Sequence, residues 1–515
     1  MTEPVDISDM QAGSVAFLET ESSLVPGERA RRIDTHAARI FLAGDRAFKL
    51  KRAVRLGYLD FSTLARRKAA LETELLLNRR TAPDLYLRVR PLCRTKDGAF
   101  NLAGQGEVID WLLEMRRFPD DALLERLVEE GRLTQDLVFR LADQIRAFHH
   151  VAKPSSDTQG HARIAAVITG NEASIARYPH VLPPRDAHKL VARQKEIATR
   201  LADLLNERAT KGRVRHCHGD LHLANIAVID GAPLLFDCLE FDEELATTDV
   251  LYDLAFLLMD LWSRRLRLEA NIVFNRYLDI AEDDEAGIAL LPLFMSIRAT
   301  IRAHALAAQV DDRDRSSTLA SRARGYLEIA EAFLAPSDGR LIAIGGLSGT
   351  GKSTVARMIG HEVGSPPGAR IIRSDVLRKR LAGVRPEAPL SREAYNEEAS
   401  ARVYGELERL AGDALDAGYA VIADAVFARE AERTSIGRLA ARRGTTFDGI
   451  WLEASPSQLE RRVETRRGDA SDADVTVVRQ QASYAIGELD GWLRVDAGGQ
   501  RAASAANVRN ALGLS

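Results

Sequence analysis

Apolar and polar positions alternate through RIFLAGDRAFKLK, residues 39–51, and the alternation breaks at Gly44-Asp45, the pattern of a β-hairpin. ALETELLLNRR, residues 70–80, follows with helical spacing. VIDWLLEMRRFP is an apolar segment closed by Pro119, after which ALLERLVEEGRL and LVFRLADQIRAFHHV read as helices. His149 and His150 end the second of these and suit the negative end of its dipole. Residues 170–210 read as further helix. VRHCHGDLHLANIAVID then predicts strand, loop and strand, with APLLFDCLEFD as the returning strand of a hairpin. Asp249 and Asp253 stand before and within an apolar helix and read as capping and loop-bracing residues. Helices rich in Ala and Arg run to about Leu334, and APSDGR marks a domain boundary. Beyond it, LIAIGGLSGTGKSTVARMIG is strand, glycine-rich loop and helix, and ARIIRSDVLRKRL and AGYAVIADAVFARE supply two more apolar strands.

A chain of 515 residues exceeds what one core supports. Its 46% apolar and 28% charged residues are those of an ordinary soluble protein, and a net charge of −3 argues against bulk attraction to nucleic acid. Cys93, Cys217 and Cys238 are odd in number and lack zinc-site spacing, which fits free thiols in a cytoplasmic setting. The N-terminus MTEPVDISDM has no signal-peptide pattern, and charges at Asp253, Asp260, Arg298 and Arg302 interrupt the most apolar runs, so no membrane span is expected.

Two stretches carry chemistry. In HGDLHLAN, residues 218–225, an Asp and an Asn stand five positions apart, and Asp237 follows one strand later. Phosphoryl transfer depends on positioning and charge neutralisation, and this is the spacing its catalytic loops use. Asp220 is the candidate base toward a substrate hydroxyl, Asn225 and Asp237 are candidate magnesium ligands, and His218 and His222 are expected to fix the loop. The second stretch is G-x-x-x-x-G-K-S, Gly346 to Ser353, a Walker A loop in its strand–loop–helix context. Gly346, Ser348, Gly349, Thr350, Gly351 and Thr354 are candidates for holding nucleotide phosphates beside Lys352, which reaches the outer phosphates, and Ser353 is a candidate magnesium ligand.

In an open parallel sheet the carboxyl ends of the strands face the nucleotide crevice. Asp375 near the end of the second strand is therefore the candidate base there, Arg378 a group for an anionic acceptor, and Asp424 a magnesium ligand or a brace for Arg378. LERRVETRRGDASDAD places Arg462 and Arg466 one helical turn apart, before a Gly-Asp loop, as candidate clamps on the transferring phosphate.

The HGDLHLAN loop, Asp237, Lys49 and the TTDVLYDLAFLL helix start resemble the aminoglycoside phosphotransferase family, relatives of choline kinase and protein kinases, over residues 30–330. The resemblance implies a bilobal kinase-like fold that uses ATP. It makes Lys49 the phosphate lysine, with Lys51 the competing residue of the same parity, and Glu74 its helix partner ahead of Glu72. It also puts a hinge at about 109–119, with Glu114 and Met115 as candidates for backbone contacts to adenine. Cys238-Leu239 stands where protein kinases carry Phe-Gly, and no G-x-G-x-x-G precedes Lys49, so an activation loop is not implied. From about Arg340 to Ser515 the chain is similar to the P-loop kinases that include polynucleotide kinases, gluconate kinase, chloramphenicol phosphotransferase and zeta toxins.

The expected architecture is an α+β bilobal kinase-like domain over 1–335, with a small lobe to about 108 and a helical lobe from about 120, followed by an α/β P-loop domain with a parallel sheet over 340–515. The expected function is ATP- and magnesium-dependent transfer of phosphate to hydroxyls of small-molecule acceptors by both domains. A nucleic-acid 5′-hydroxyl acceptor for the second domain, and a nucleotide-sensing role for one of them, are the alternatives. Aromatic residues are only 6% of the chain and form no stacking platform, so nucleic acid is the less favoured partner.

Overall fold

The hairpin at 39–51 forms as its alternation requires: β2 (Ala38–Ala43) pairs antiparallel with β3 (Arg46–Lys51) across Gly44-Asp45. With β1 (Arg31–Asp34), β4 (Tyr86–Arg94), β5 (Phe100–Asn101) and β6 (Glu107–Arg116) they make an antiparallel sheet in the order β1-β2-β3-β6-β4-β5. The structure, a computed structural model, describes residues 5–6, 8–35, 37–56, 59–310, 317–337, 339–465 and 470–514.

Each face of the sheet has its own apolar cluster. Phe41, Phe48, Leu50 and Leu112 pack with Val15 and Leu18, while Leu113 packs with Leu71, Leu85 and Tyr86. Strand alternation therefore sends Lys49 and Lys51 to the face opposite Phe48 and Leu50. That face is covered by α1 (Leu64–Asn78), whose start is capped by Thr63 accepting the Arg66 N–H. The loop HGDLHLAN leads into a second hairpin, β7 (Ile226–Ile229) and β8 (Ala232–Leu235). Its two turn residues, Asp230 and Gly231, have φ +50° and +74°, as a two-residue type I′ turn demands.

The chain forms two compact units, and they cut across the boundaries expected from the sequence. The first comprises Met1–Leu137, Phe148–Ser155 and Arg215–Thr248, and so joins the small lobe to the HGDLHLAN hairpin. The second comprises Val138–Ala147, Ser156–Val214 and Asp249–Ser515, which puts the main helices in one body with the P-loop segment. Residues 335–340 do separate helix from strand along the chain, but both flanks belong to this second unit.

The helices of the second unit include α2 (Val250–Ser263), α3 (Arg267–Asp279), α4 (Leu291–Ala307) and α5 (Thr318–Ala332). Asp249 caps α2 by accepting the Leu251 N–H at 2.8 Å and is gripped by Arg208 at 2.7 Å, so it braces as expected. The stretch Glu282–Ala307 is long and apolar enough to cross a membrane, but 72% of its apolar window is buried inside the protein, as in a core helix.

A five-stranded parallel sheet follows, from β9 (Arg340–Gly345), β10 (Arg370–Arg373), β11 (Val421–Asp424), β12 (Thr446–Glu453) and β13 (Trp492–Asp496), in the order β10-β11-β9-β12-β13. Its helices include α6 (Lys352–Gly360), α7 (Ser374–Leu381), α8 (Glu397–Asp416), α9 (Pro456–Glu464) and α10 (Val475–Ala482).

The edge strand β10 is closed by α3 rather than by solvent. Asn271 Nδ2 donates to the carbonyls of Pro367 and Ala369, both at 3.0 Å, and Asn275 Oδ1 accepts the Ile371 N–H at 2.7 Å. Arg370, 1% exposed, donates to Glu285 at 2.7 and 3.1 Å and to Asp279 at 3.0 Å. Phe274 stacks on Tyr419 with ring centroids 5.5 Å apart. The apolar and ionic contacts together make one continuous seam.

Candidate functional site

In the first unit, β3 and α1 bring Lys49 and Glu74 together. Lys49 Nζ donates to Glu74 Oε1 at 2.6 Å and to Asp237 Oδ1 at 2.7 Å. Lys51, expected as the rival, lies behind it and bridges Glu74 Oε2 at 2.7 Å and Glu240 Oε1 at 2.5 Å. Burial opposes the charge on Lys49, but Asp237, Glu74 and Glu240 outweigh it and hold the ammonium well above its usual range. For Asp237, burial would raise the carboxyl and the adjacent Lys49 more than compensates, so it stays below the ordinary carboxylate range.

Asp237 has φ +59°, in the left-handed region, and is held there from both neighbours. Its N–H donates to the Tyr86 hydroxyl at 3.1 Å, and the Cys238 N–H donates to Asn78 Oδ1 at 2.8 Å. Within the loop, Asn225 Nδ2 donates to the Asp220 carbonyl at 2.9 Å and to Asp220 Oδ2 at 2.8 Å. His218 Nε2 lies 2.9 Å from the Phe236 carbonyl, and His222 Nδ1 accepts the Ala224 N–H at 3.3 Å, so the two imidazoles do fix the loop. Gly219 has φ +82°, and a Cβ there would fall 2.8 Å from Leu239 Cβ.

The hinge needs correction. Glu114 and Met115 lie inside β6, paired with Phe48 and Ala47 on one side and with Arg88 and Tyr86 on the other. Their backbone groups are spent in the sheet, and the Glu114 carboxylate faces Arg88 at 2.8 Å. Neither residue is available for the expected adenine contact, because the strand runs on to Arg116 before the chain turns.

In the second unit the Walker loop joins β9 to α6. Gly346, Gly349 and Gly351 have φ +137°, +88° and +95°, and a Cβ at Gly349 would fall 2.8 Å from the Leu459 carbonyl oxygen. Lys352 Nζ donates to the carbonyls of Gly346 at 2.8 Å and Leu347 at 3.1 Å, and the Thr350 hydroxyl donates to the Leu347 carbonyl at 2.8 Å. Ser353 Oγ donates to Asp424 Oδ2 at 2.5 Å, with Arg373 Nε at 3.5 Å from the same oxygen. Burial pushes the Asp424 carboxyl up, while Arg373, Lys352 and Ser353 pull it back. Thr354 follows in the first turn of α6.

Asp375 sits in the first turn of α7, two residues past the end of β10, where the sequence placed it at the strand end itself. Arg378 Nη1 donates to the Ala394 carbonyl at 2.6 Å and its guanidinium lies 4.7 Å from the Tyr395 ring centroid. Arg462 turns to the loop backbone, with Nη1 at 3.4 Å from the Gly349 carbonyl and Nη2 at 2.8 Å from that of Gly499. It thus braces the loop. Arg466 lies outside the described residues.

Against known proteins, residues 59–291 match the model described as the phosphotransferase enzyme family, and residues 341–485 match that described as an AAA domain. The chain is 30% identical over 485 residues to uncharacterized protein Rv2004c of Mycobacterium tuberculosis, covering 91% of this chain and 92% of that one. It belongs to the Rv2004c family. Uncharacterized protein Mb2027c of Mycobacterium bovis matches with the same figures. Among solved structures, a choline/ethanolamine kinase family protein from Mesorhizobium loti aligns at 13% identity over 63% of this chain and 95% of its own, with a TM-score of 0.40. A gluconokinase from Sinorhizobium meliloti aligns at 20% identity over 35% and 98%, with a TM-score of 0.24. Both family resemblances read from the sequence hold, as does the fold class of a kinase-like domain followed by a parallel-sheet P-loop domain. This member of the Rv2004c family is an ATP-dependent phosphotransferase with two kinase-type domains.

Glu240 and Gln481 are among the residues at these sites that the sequence did not single out, as are Tyr86 and Asn78, which hold Asp237 and Cys238. Lys51 was visible only as a parity ambiguity. Glu240 follows Asp237 at no motif spacing, and Gln481 reaches the Walker loop across 133 residues of chain.

Proposed function

We propose that both sites use magnesium and ATP to phosphorylate hydroxyls of small-molecule acceptors, in the reducing cytoplasm that the buried thiols of Cys93, Cys217 and Cys238 suit. The observation that carries the reading is the single Lys49 ammonium held by both Glu74 and Asp237, a cation of the kind that serves phosphates beside a carboxylate of the kind that takes magnesium. Asp220, oriented by Asn225, accepts the proton of the acceptor hydroxyl. Asn225 and Asp237 present oxygen donors of the kind a hard cation takes, and the Ser353 hydroxyl with the Asp424 carboxylate does the same at the second site. Magnesium bound there supplies charge neutralisation on the phosphates. At the second site the loop N–H groups and Lys352 hold the nucleotide, Asp375 is the base, Arg378 with Tyr395 faces the acceptor, and Arg462 keeps the loop in shape. Arg466 is the arginine assigned to the transferring phosphate.

The test is phosphate transfer from labelled ATP to sugars, aminoglycosides, nucleosides and oligonucleotides, with Asp220→Ala and Lys352→Ala variants. Each variant is expected to lose, by about 100-fold or more, transfer to its own set of acceptors. If neither variant lowers any transfer, both site assignments are wrong. Transfer confined to oligonucleotide 5′ ends would instead identify the second site as a nucleic-acid kinase. A second reading is that the P-loop domain senses nucleotide and adjusts the other site. It gains if Lys352→Ala keeps every transfer and loses only an ATP-dependent change in rate.

A further inference from the structure

The N–H of Ser348, third residue of the Walker loop, donates to Gln481 Oε1 at 2.7 Å. Gln481 lies in α10, and the approach of that helix is supported by its neighbours. Three residues earlier Val478, 1% exposed, packs with Leu459 and Val463 of α9 and with Leu347 of the loop itself. Asp474 caps the helix by accepting the Val477 N–H at 2.8 Å, and Arg479 pairs with Glu460 at 2.8 Å. An apolar contact and one hydrogen bond thus dock α10 on the phosphate loop.

What gives this bond meaning is the N–H it takes. Lys352 Nζ is hydrogen bonded to the Gly346 and Leu347 carbonyls, so the ammonium that serves the outer phosphates stands beside Ser348. A Walker loop binds by offering consecutive backbone N–H groups to phosphate oxygens. Here one of them, at the outer-phosphate end, goes to an uncharged carboxamide oxygen on a separate helix. A charged phosphate oxygen makes a hydrogen bond roughly twice as strong. A terminal phosphate that reaches Ser348 would take this N–H from Gln481, and a nucleotide one phosphate shorter would leave the bond in place.

We propose that Gln481 distinguishes tri- from diphosphate at the P-loop site: its carboxamide oxygen holds the place of a terminal-phosphate oxygen on Ser348, and its displacement by ATP releases α10 from the loop. The inference rests on the reading of residues 346–353 as a nucleotide site and adds a regulatory consequence to it.

Hydrogen–deuterium exchange on the full chain tests both, because each site is read locally. Protection of the peptide 341–360, titrated with a non-hydrolysable ATP analogue and with ADP, gives affinity at this loop alone. Gln481→Ala is expected to raise affinity for the ATP analogue about 3- to 10-fold, from loss of one competing hydrogen bond, and to leave ADP within 2-fold. In the unsubstituted chain, exchange at 475–482 is expected to rise with the analogue and not with ADP. In Gln481→Ala it is expected to be high before nucleotide is added. Weaker analogue binding in Gln481→Ala, an equal shift for both nucleotides, or exchange at 475–482 that stays flat or falls with the analogue overturns the inference. If 341–360 gains no protection from either nucleotide, or gains the same in Lys352→Ala, the nucleotide-site reading fails and takes the inference with it.

Discussion

Lys49 and Lys51 divide the two oxygens of Glu74 between them, and only Lys49 also reaches Asp237. Under the proposed function, that division separates the lysine that meets the phosphates from the one that orients its glutamate partner. Lys51 is 2% exposed and holds Glu74 and Glu240, so removing its charge leaves two buried acids short of a partner. Lys51→Met is expected to cost about 3–5 kcal/mol in urea unfolding, and Lys51→Met with Glu240→Gln to recover part of it. A loss below about 1 kcal/mol would mean that the pair is solvated in solution. His304 carries a pH dependence. Burial, then the charge of Arg177, pulls its imidazole down to about 4 from 6.5. Between those values the unfolded chain holds a proton the folded one refuses, so stability falls as pH is lowered through that window and levels off below it. The loss by pH 5 is about 2 kcal/mol. His304→Gln is expected to shrink the difference between unfolding free energies at pH 7 and pH 5 by that amount.

At the scale of elements, the phosphate loop is held from outside as well as by its own glycines. Arg462 spans carbonyls on two segments, which a lysine's single ammonium does not do. Arg462→Ala is expected to weaken ATP-analogue binding at the loop several-fold, with Arg462→Lys failing to restore it; equal affinity in all three proteins would make the brace idle. The local patterns were readable from the sequence because they encode themselves. Alternation at 39–51 specifies a hairpin, Gly44-Asp45 its turn, and the spacing of Gly346 to Ser353 a loop whose glycines adopt the backbone angles that spacing implies. The hinge was misread because an apolar run says strand without saying where it ends. Arg116 and Arg117 continue the backbone bonding to Leu85 and Asp45, so Glu114 and Met115 fall in mid-sheet. The role of Lys51, and Glu240 and Gln481 altogether, escaped because their partners are set by tertiary approach, which leaves no period or spacing in the chain.

At the scale of the molecule, the grouping of α3 with the P-loop sheet is the feature least visible in the sequence. Pro336 and Gly339 mark a joint in the chain but not a joint in the packing. Asn271 serves the backbone leading into the edge strand β10 and Asn275 that of the strand itself, and Glu285 and Asp279 neutralise a guanidinium that is 1% exposed. A chain of residues 340–515 made alone would present that edge and that charge to water, an open template for association. It is expected to aggregate or to melt well below the P-loop region of the full protein, measured by scanning calorimetry and light scattering; a stable monomer with an unchanged midpoint would show the seam to be dispensable.

A protease that cuts between Leu334 and Arg340 would sever the peptide and leave the seam whole. The two pieces would travel through a sizing column as one particle and part only in denaturant or on loss of the Arg370 charge. For this enzyme a clipped band on a denaturing gel would say nothing about whether its helices and its nucleotide loop had come apart.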